Sequence, residues 1–126
     1  MMLYHHDNGG IAMIVNRIVE DIAWVPHKLS PEAKTKTMIS KKDDGLDVSC
    51  VLVDLPVGVE IPEHIHDQQD DILYPLKGKA TMWVDGTGFF TLEPGVIVRV
   101  PKATKHKIID VVEDMVIYDV FSPATV

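Results

Sequence analysis

From Leu46 onward the apolar residues come in short runs broken by turn signals, and no stretch shows a convincing 3.6-residue period. Leu46 to Leu55 is an apolar run ended by the turn Pro56-Val57-Gly58. Ile72 to Leu76 predicts a strand closed by Lys77-Gly78-Lys79, and Ala80 to Val84 predicts another, ended by the hairpin signal Asp85-Gly86. Phe89 to Leu92 runs into Glu93-Pro94-Gly95, and Val96 to Val100 stops at Pro101. Lys107 to Val112 and Met115 to Phe121 complete the series. Many short strands at even spacing predict an all-β sandwich or barrel rather than βαβ units. Pro75 in mid-strand removes a ladder donor and predicts an edge or a bulge there.

The first 45 residues are patterned less regularly. Residues 1 to 10 read as a loose arm ending at Gly9-Gly10, and the Ile- and Val-rich residues 11 to 25 predict one or two strands. Ser30-Pro31-Glu32 offers an N-cap followed by proline, with threonines at 35 and 37 limiting any helix to a single turn. A strand from about Lys34 to Ser40 and a turn over residues 41 to 45 follow. The expected organisation is one domain: an N-terminal arm with strands over residues 1–45, suited to packing on a partner subunit, and a barrel over residues 46–126.

With 126 residues, the chain is long enough to bury a core. Its net charge of −7 argues against nucleic acid, whose binding depends on neutralising phosphates with Lys and Arg. No basic run suggests a membrane surface, and nothing approaches the roughly 20 apolar residues of a membrane span. The single cysteine, Cys50, forms no intrachain disulfide and lies in an apolar strand as a buried thiol. With no leader-like segment in view, a cytoplasmic protein is expected.

The candidate chemistry lies in histidines near turns. His64 and His66 stand two residues apart, so on an extended strand both rings would point to one face. Asp71 opens the next predicted strand and shares a face with Leu73 and Pro75; Asp70 beside it competes for the same role. His106 follows the turn Pro101-Lys102-Ala103-Thr104-Lys105. Three histidines and a carboxylate are a first shell suited to a divalent ion. His5, His6 and His27 read as surface histidines.

These residues resemble the two motifs of the cupin superfamily. The first, G-x5-H-x-H-x3/4-E-x6-G, is matched by Gly58, His64, His66, Asp71 and Gly78, with Asp71 one methylene shorter than the usual glutamate. The second, G-x5-P-x-G-x2-H-x3-N, is matched by Gly95, Pro101, Ala103, His106 and Asp110, with Ala103 for glycine and Asp110 for asparagine. The resemblance spans residues 58 to 110. It implies a small single-domain cupin, a double-stranded β-helix or jelly-roll barrel, with His64, His66, Asp71 and His106 as metal ligands. It also implies a homodimer paired through N-terminal strands, for which residues 11 to 25 are the natural segment. Asp110 would then lie close enough to orient a ligand histidine.

Such a set suits Fe, Mn, Ni or Co, which keep positions open for water, dioxygen or a chelating substrate; zinc, preferring four ligands, would be nearly saturated. The acid–base residue is not legible: Tyr74 and Tyr118 are candidates for it, with packing by a tethered hydroxyl the favoured reading of each. Arg99 is an inward carboxylate anchor or an outward solvated side chain. Trp83 and Phe89-Phe90 suit core or subunit contacts, and Lys102, Lys105 and Lys107 a solvated rim. Two readings stay open, a metal-dependent enzyme on a small oxygenated or anionic substrate and a non-catalytic ligand-binding or sensing domain. The ending Asp119-Val120-Phe121-Ser122-Pro123 also resembles cupins that linearise unsaturated uronates, a minor alternative.

Overall fold

The computed structural model describes the backbone of residues 3–5 and 11–126, and side chains from Ile14 onward. Its strands are β1 (Leu3–His5), β2 (Ile11–Met13), β3 (Val25–Pro26), β4 (Lys34–Ile39), β5 (Ser49–Leu55), β6 (Ile61–His64), β7 (Asp70–Val84), β8 (Gly88–Leu92), β9 (Val98–Val100) and β10 (His106–Ser122). β1 and β2 pair with each other alone. The rest form one antiparallel sheet ordered β3-β4-β5-β10-β7-β8, with β6 also on β10 and β9 also on β7. The sheet closes into a jelly-roll barrel, as the strand cadence predicts. Alternate residues such as Val53, Leu55, Leu73, Met82, Met115 and Ile117 fill it. Among the described residues no helix is long and apolar enough to cross a membrane.

The signals at Lys77-Gly78-Lys79 and after Val112 do not end strands. They lie inside β7 and β10, which run 15 and 17 residues as one ladder. Along that ladder Asp71 pairs with Phe121 and Val84 pairs with His106. A straight ladder would hold positions 71 and 84 roughly 40 Å apart at about 3.3 Å per residue. Yet the Asp71 carboxylate lies 3.3 Å from the His106 ring. The ladder doubles over on itself, at Gly78 on one strand and through register shifts between Ile109 and Val116 on the other. Gly78 has φ +90°, and a Cβ there would sit 2.6 Å from Met115 Cα and overlap the Asp114 carbonyl. Only glycine permits both the backbone angle and the approach. Pro75 falls between the part of β7 that pairs with β9 and the part that pairs with β8, beside a register shift, where its missing N–H is tolerated.

The N-terminal part departs from expectation in detail. Residues 11 to 25 give β2, a 3₁₀ turn at Val19–Asp21 and the two-residue β3. Ser30-Pro31-Glu32 forms a tight turn, with Ala33 N–H donating to the Ser30 carbonyl at 2.9 Å. The helical turn occurs instead at α1 (Lys41–Asp44), where Ser40 Oγ accepts from Asp43 N–H and Gly45 closes the end at φ +72°. Of the expected loose arm, residues 3–5 form β1; residues 1–2 and 6–10, including His6, lie outside the described residues.

Candidate metal centre

Alternation on β7 decides between the two aspartates. Asp71 faces the interior with Leu73 and Pro75, and is only 3% exposed. Asp70 faces outward, accepting from Arg99 Nη2 at 2.8 Å, Arg99 Nε at 3.1 Å and the Lys102 N–H at 3.0 Å. The Lys102 bond and then the Arg99 guanidinium hold the Asp70 carboxyl below its ordinary pKa. Arg99 is thereby an exposed surface partner, and the inward carboxylate anchor is excluded.

His64 ends β6 and His106 opens β10, where the two are register partners. His66 lies past the end of β6, so strand alternation does not aim it. Its segment is held instead by the Pro101–Thr104 turn, where Ala103 N–H donates to the His66 carbonyl at 2.7 Å. Ala103 has φ +60°, which explains the glycine in the family motif. The ligand-capable nitrogens of the three histidines all lie within 4.8 Å of one another. Asp71 Oδ2 is 3.3 Å from His106 Nε2 and 3.7 Å from His66 Nε2, although the tight group of donor atoms comprises the histidines alone. Donors about 2.1 Å from one ion stand roughly 3 Å apart at right angles, so the spacing suits an ion shared by these groups.

The ring tautomers point the same way. His64 Nδ1 lies 2.7 Å from the Pro62 carbonyl and His106 Nδ1 lies 3.0 Å from the Thr104 carbonyl. A carbonyl only accepts, so each Nδ1 carries the proton and each Nε2 offers a lone pair. His106 is 2% exposed, and its Nε2 has no hydrogen-bond partner; Asp71 Oδ1 is likewise unpartnered. Buried polar atoms without protein partners are uncommon, and these suit contact with a bound ion or ligand. Burial lowers the His64 pKa to about 4, despite the opposing Pro62 bond, and lowers that of His66. Both rings are therefore neutral near pH 7, as ligation requires.

The pocket around this cluster is small, about 60 Å³. Its polar lining is His27, His64, His66, Asp71, His106 and Asp119, and its apolar wall includes Leu29, Ile61, Leu73, Ile117 and Phe121. Phe121 packs edge-on to His66 with centroids 5.0 Å apart.

Two lining residues escape the sequence reading. Asp119 is buried on the inner face of β10; burial first, and then the Asp71 charge, push its carboxyl well above the ordinary range. The alternation Met115, Ile117, Asp119 was the available signal. His27 is half-buried in the pocket wall rather than on the surface, and only tertiary packing brings it there. Three other expectations resolve outside the pocket. Asp110 is exposed at φ +50°, and the backbone carbonyls of Pro62 and Thr104 hold the rings instead; asparagine and aspartate suit that left-handed angle. Tyr74 and Tyr118 face outward, and Tyr118 contacts Cys50. Lys107 lies over Trp83 and the exposed Phe89.

Comparison with known proteins agrees with this architecture. The Bacillus subtilis (strain 168) quercetin 2,3-dioxygenase is 39% identical over 51 residues, covering 40% of this chain and only 15% of that protein's length. The structure of KdgF from Halomonas sp. superposes with a TM-score of 0.71 at 24% identity, covering 84% of this chain and 92% of that one. An RmlC-like cupin from Shewanella frigidimarina gives 0.74 at 19% identity, covering 90% and 95%. At those identities the likeness is one of fold. The cupin-domain family Cupin_2 matches residues 51–121, more than half the length, and the chain belongs to that family.

Proposed function

We propose that His64, His66, Asp71 and His106 hold a divalent metal ion, and that the protein is a metal-dependent enzyme for a small oxygenated or anionic molecule. The observation that carries this reading is the convergence of imidazole lone pairs, with the unpartnered Nε2 of buried His106 beside the Asp71 carboxylate. When bound, the ion supplies Lewis acidity to an oxygen of the molecule in the pocket. The chain's own residues prepare the place. The Pro62 and Thr104 carbonyls fix two rings, the Asp71 carboxylate offsets positive charge, and Ile61, Ile117 and Phe121 give the pocket an apolar wall. The donor set favours Fe, Mn, Ni or Co over zinc.

Metal analysis after aerobic and anaerobic purification tests the reading. One ion per chain is expected, and metal that stays substoichiometric after supply of Fe, Mn, Ni, Co or Zn sinks it. A second reading, a non-catalytic ligand-binding domain, is supported by the outward placement of Tyr74 and Tyr118. Turnover of sugar acids, diketones or thiols that His64→Ala abolishes would refute that second reading. The uronate alternative has less support, because among the described residues no Lys or Arg lines the pocket to meet the uronate carboxylate. We further propose that residues 1–45 help pair two chains, a role supported by a β1–β2 hairpin that stands outside the barrel sheet. Light scattering that finds only a 14.0 kDa particle would exclude the pairing.

A further inference from the structure

We infer that His27 is a neutral hydrogen-bond donor for an oxygen of the small molecule seated over the histidine cluster, and that this molecule is an oxygen chelator with an apolar body. The inference rests on the metal-site reading above and names what that site takes.

His27 is locked in place by its own loop. Its N–H donates to the Ala33 carbonyl at 3.0 Å, and Ala33 N–H returns to Ser30, so Pro26 to Ala33 closes as a tight bend. Within that bend Leu29 N–H donates to His27 Nδ1 at 3.0 Å. A backbone N–H only donates, so Nδ1 is the unprotonated nitrogen and the proton of the neutral ring sits on Nε2. This is the opposite tautomer to His64 and His106, whose Nδ1 atoms donate to carbonyls and whose Nε2 atoms carry lone pairs. All three rings line one pocket, yet they bring complementary chemistry to it. His27 is also outside the group of nitrogens lying within 4.8 Å of one another. A lone pair suits a cation; an N–H suits an oxygen acceptor.

The remaining wall limits what carries that oxygen. Apart from Asp119 it is apolar, formed by Leu29, Ile61, Ile117 and Phe121 among others, and among the described residues no lysine or arginine lines the pocket. A polyhydroxylated sugar would leave hydroxyls unpaired against these residues, which is unfavourable for buried polar groups. A compact chelating head on an apolar body satisfies the proposed metal ion, the donor and the wall together.

The test uses cobalt(II) as the metal and tropolone as the probe, with galacturonate as the hydroxyl-rich comparison. His27→Asn keeps an acceptor for Leu29 N–H and deletes the Nε2 donor; His27→Gln places an amide donor near the Nε2 position. Cobalt stoichiometry, read from visible absorption, is expected to equal wild type in both variants, which also reports that the site is folded. Tropolone binding should weaken about tenfold or more in His27→Asn, the size expected for a donor to a charged oxygen, and recover in part in His27→Gln. Galacturonate should bind the wild type more weakly than tropolone. Unchanged tropolone affinity in His27→Asn overturns the donor role, and loss of cobalt in that variant overturns it in favour of ligation. Tighter binding of galacturonate overturns the apolar class. Failure of the wild type to take cobalt overturns the metal reading itself, and this inference falls with it.

Discussion

Acid should destabilise the metal-free protein through its pocket histidines. His64 falls from its ordinary value of 6.5 to about 4 on folding, chiefly through burial, and burial lowers His66 and His27 as well. Below the unfolded value the unfolded chain takes up protons that the folded one refuses. Stability is therefore complete above about pH 6.5 and declines as pH falls toward about 4. The His64 shift alone corresponds to about 3 kcal/mol at about 1.4 kcal/mol per unit. His64 remains partly in solvent, which screens the effect and reduces it to about 1–1.5 kcal/mol. Asp119 acts with the opposite sign. Its raised pKa makes it a liability as pH rises from the unfolded carboxylate range through its folded value, so acidification relieves it. Asp44, lowered by its Arg17 partner, and Asp70, lowered by the Lys102 and Arg99 bonds, contribute stability that is present above the ordinary carboxylate range and lost only as pH falls below it. The clean experiment is urea denaturation in chelator, from about pH 7 to about pH 4.5, in an Asp119→Asn background. At a slope of about 1.5 kcal/mol per molar the midpoint should drop by about 0.7–1 M. Adding His64→Gln should flatten much of that drop. A midpoint in Asp119→Asn that holds or rises on acidification would refute the assignment of neutral, buried histidines.

Three further outcomes are expected. Asp71→Ala should weaken metal binding at least about tenfold by calorimetric titration, whereas Asp70→Ala should leave it near wild type; the reverse order would exchange their roles. Gly78→Ala should lose about 4 kcal/mol or more in urea denaturation, because the new Cβ meets the Asp114 carbonyl and Met115 at a left-handed angle, and near-native stability would refute the doubled ladder. Ala103→Gly should change stability by less than about 0.5 kcal/mol, since relief of the left-handed strain nearly cancels the added chain entropy. Ala103→Val should lose about 1–2 kcal/mol, and a thermal melt unchanged from wild type would exclude strain at that turn.

The barrel was legible because period-two patterning and turn residues report directly on strands. Leu73 and Pro75 face the core on β7, as alternation from Asp71 requires. What patterning lacked was curvature. Lys77-Gly78-Lys79 has the composition of a turn, and only the close approach of Met115 reveals a bend within a strand. Spacing singled out His64, Asp71 and His106, which line the pocket, but not His27, which lines it too. It reaches the pocket through a loop whose bonds run to Ala33 and Leu29, with no periodic signal in the sequence. Asp110 was misread for a related reason. Its place near His106 in the chain suggested a contact, whereas its backbone angle is what the position requires.

Curvature also connects the two motifs to each other. His106 and Asp71 belong to opposite ends of one paired ladder, and they meet only because β7 and β10 fold over together. Gly78, with φ +90°, lies at the bend of one strand, and Asp110, with φ +50°, lies beside the irregular stretch of the other. The residues that bring this cluster together in space are therefore not only His64, His66, Asp71 and His106 themselves. The glycine and the asparagine-like position of the motifs set where the ladder turns, and the turn sets the distance between donors. This also accounts for an aspartate where a glutamate is usual. Asp71 is the register partner of Phe121, whose ring packs edge-on to His66, and its carboxylate reaches within 3.3 Å of His106 without the extra methylene.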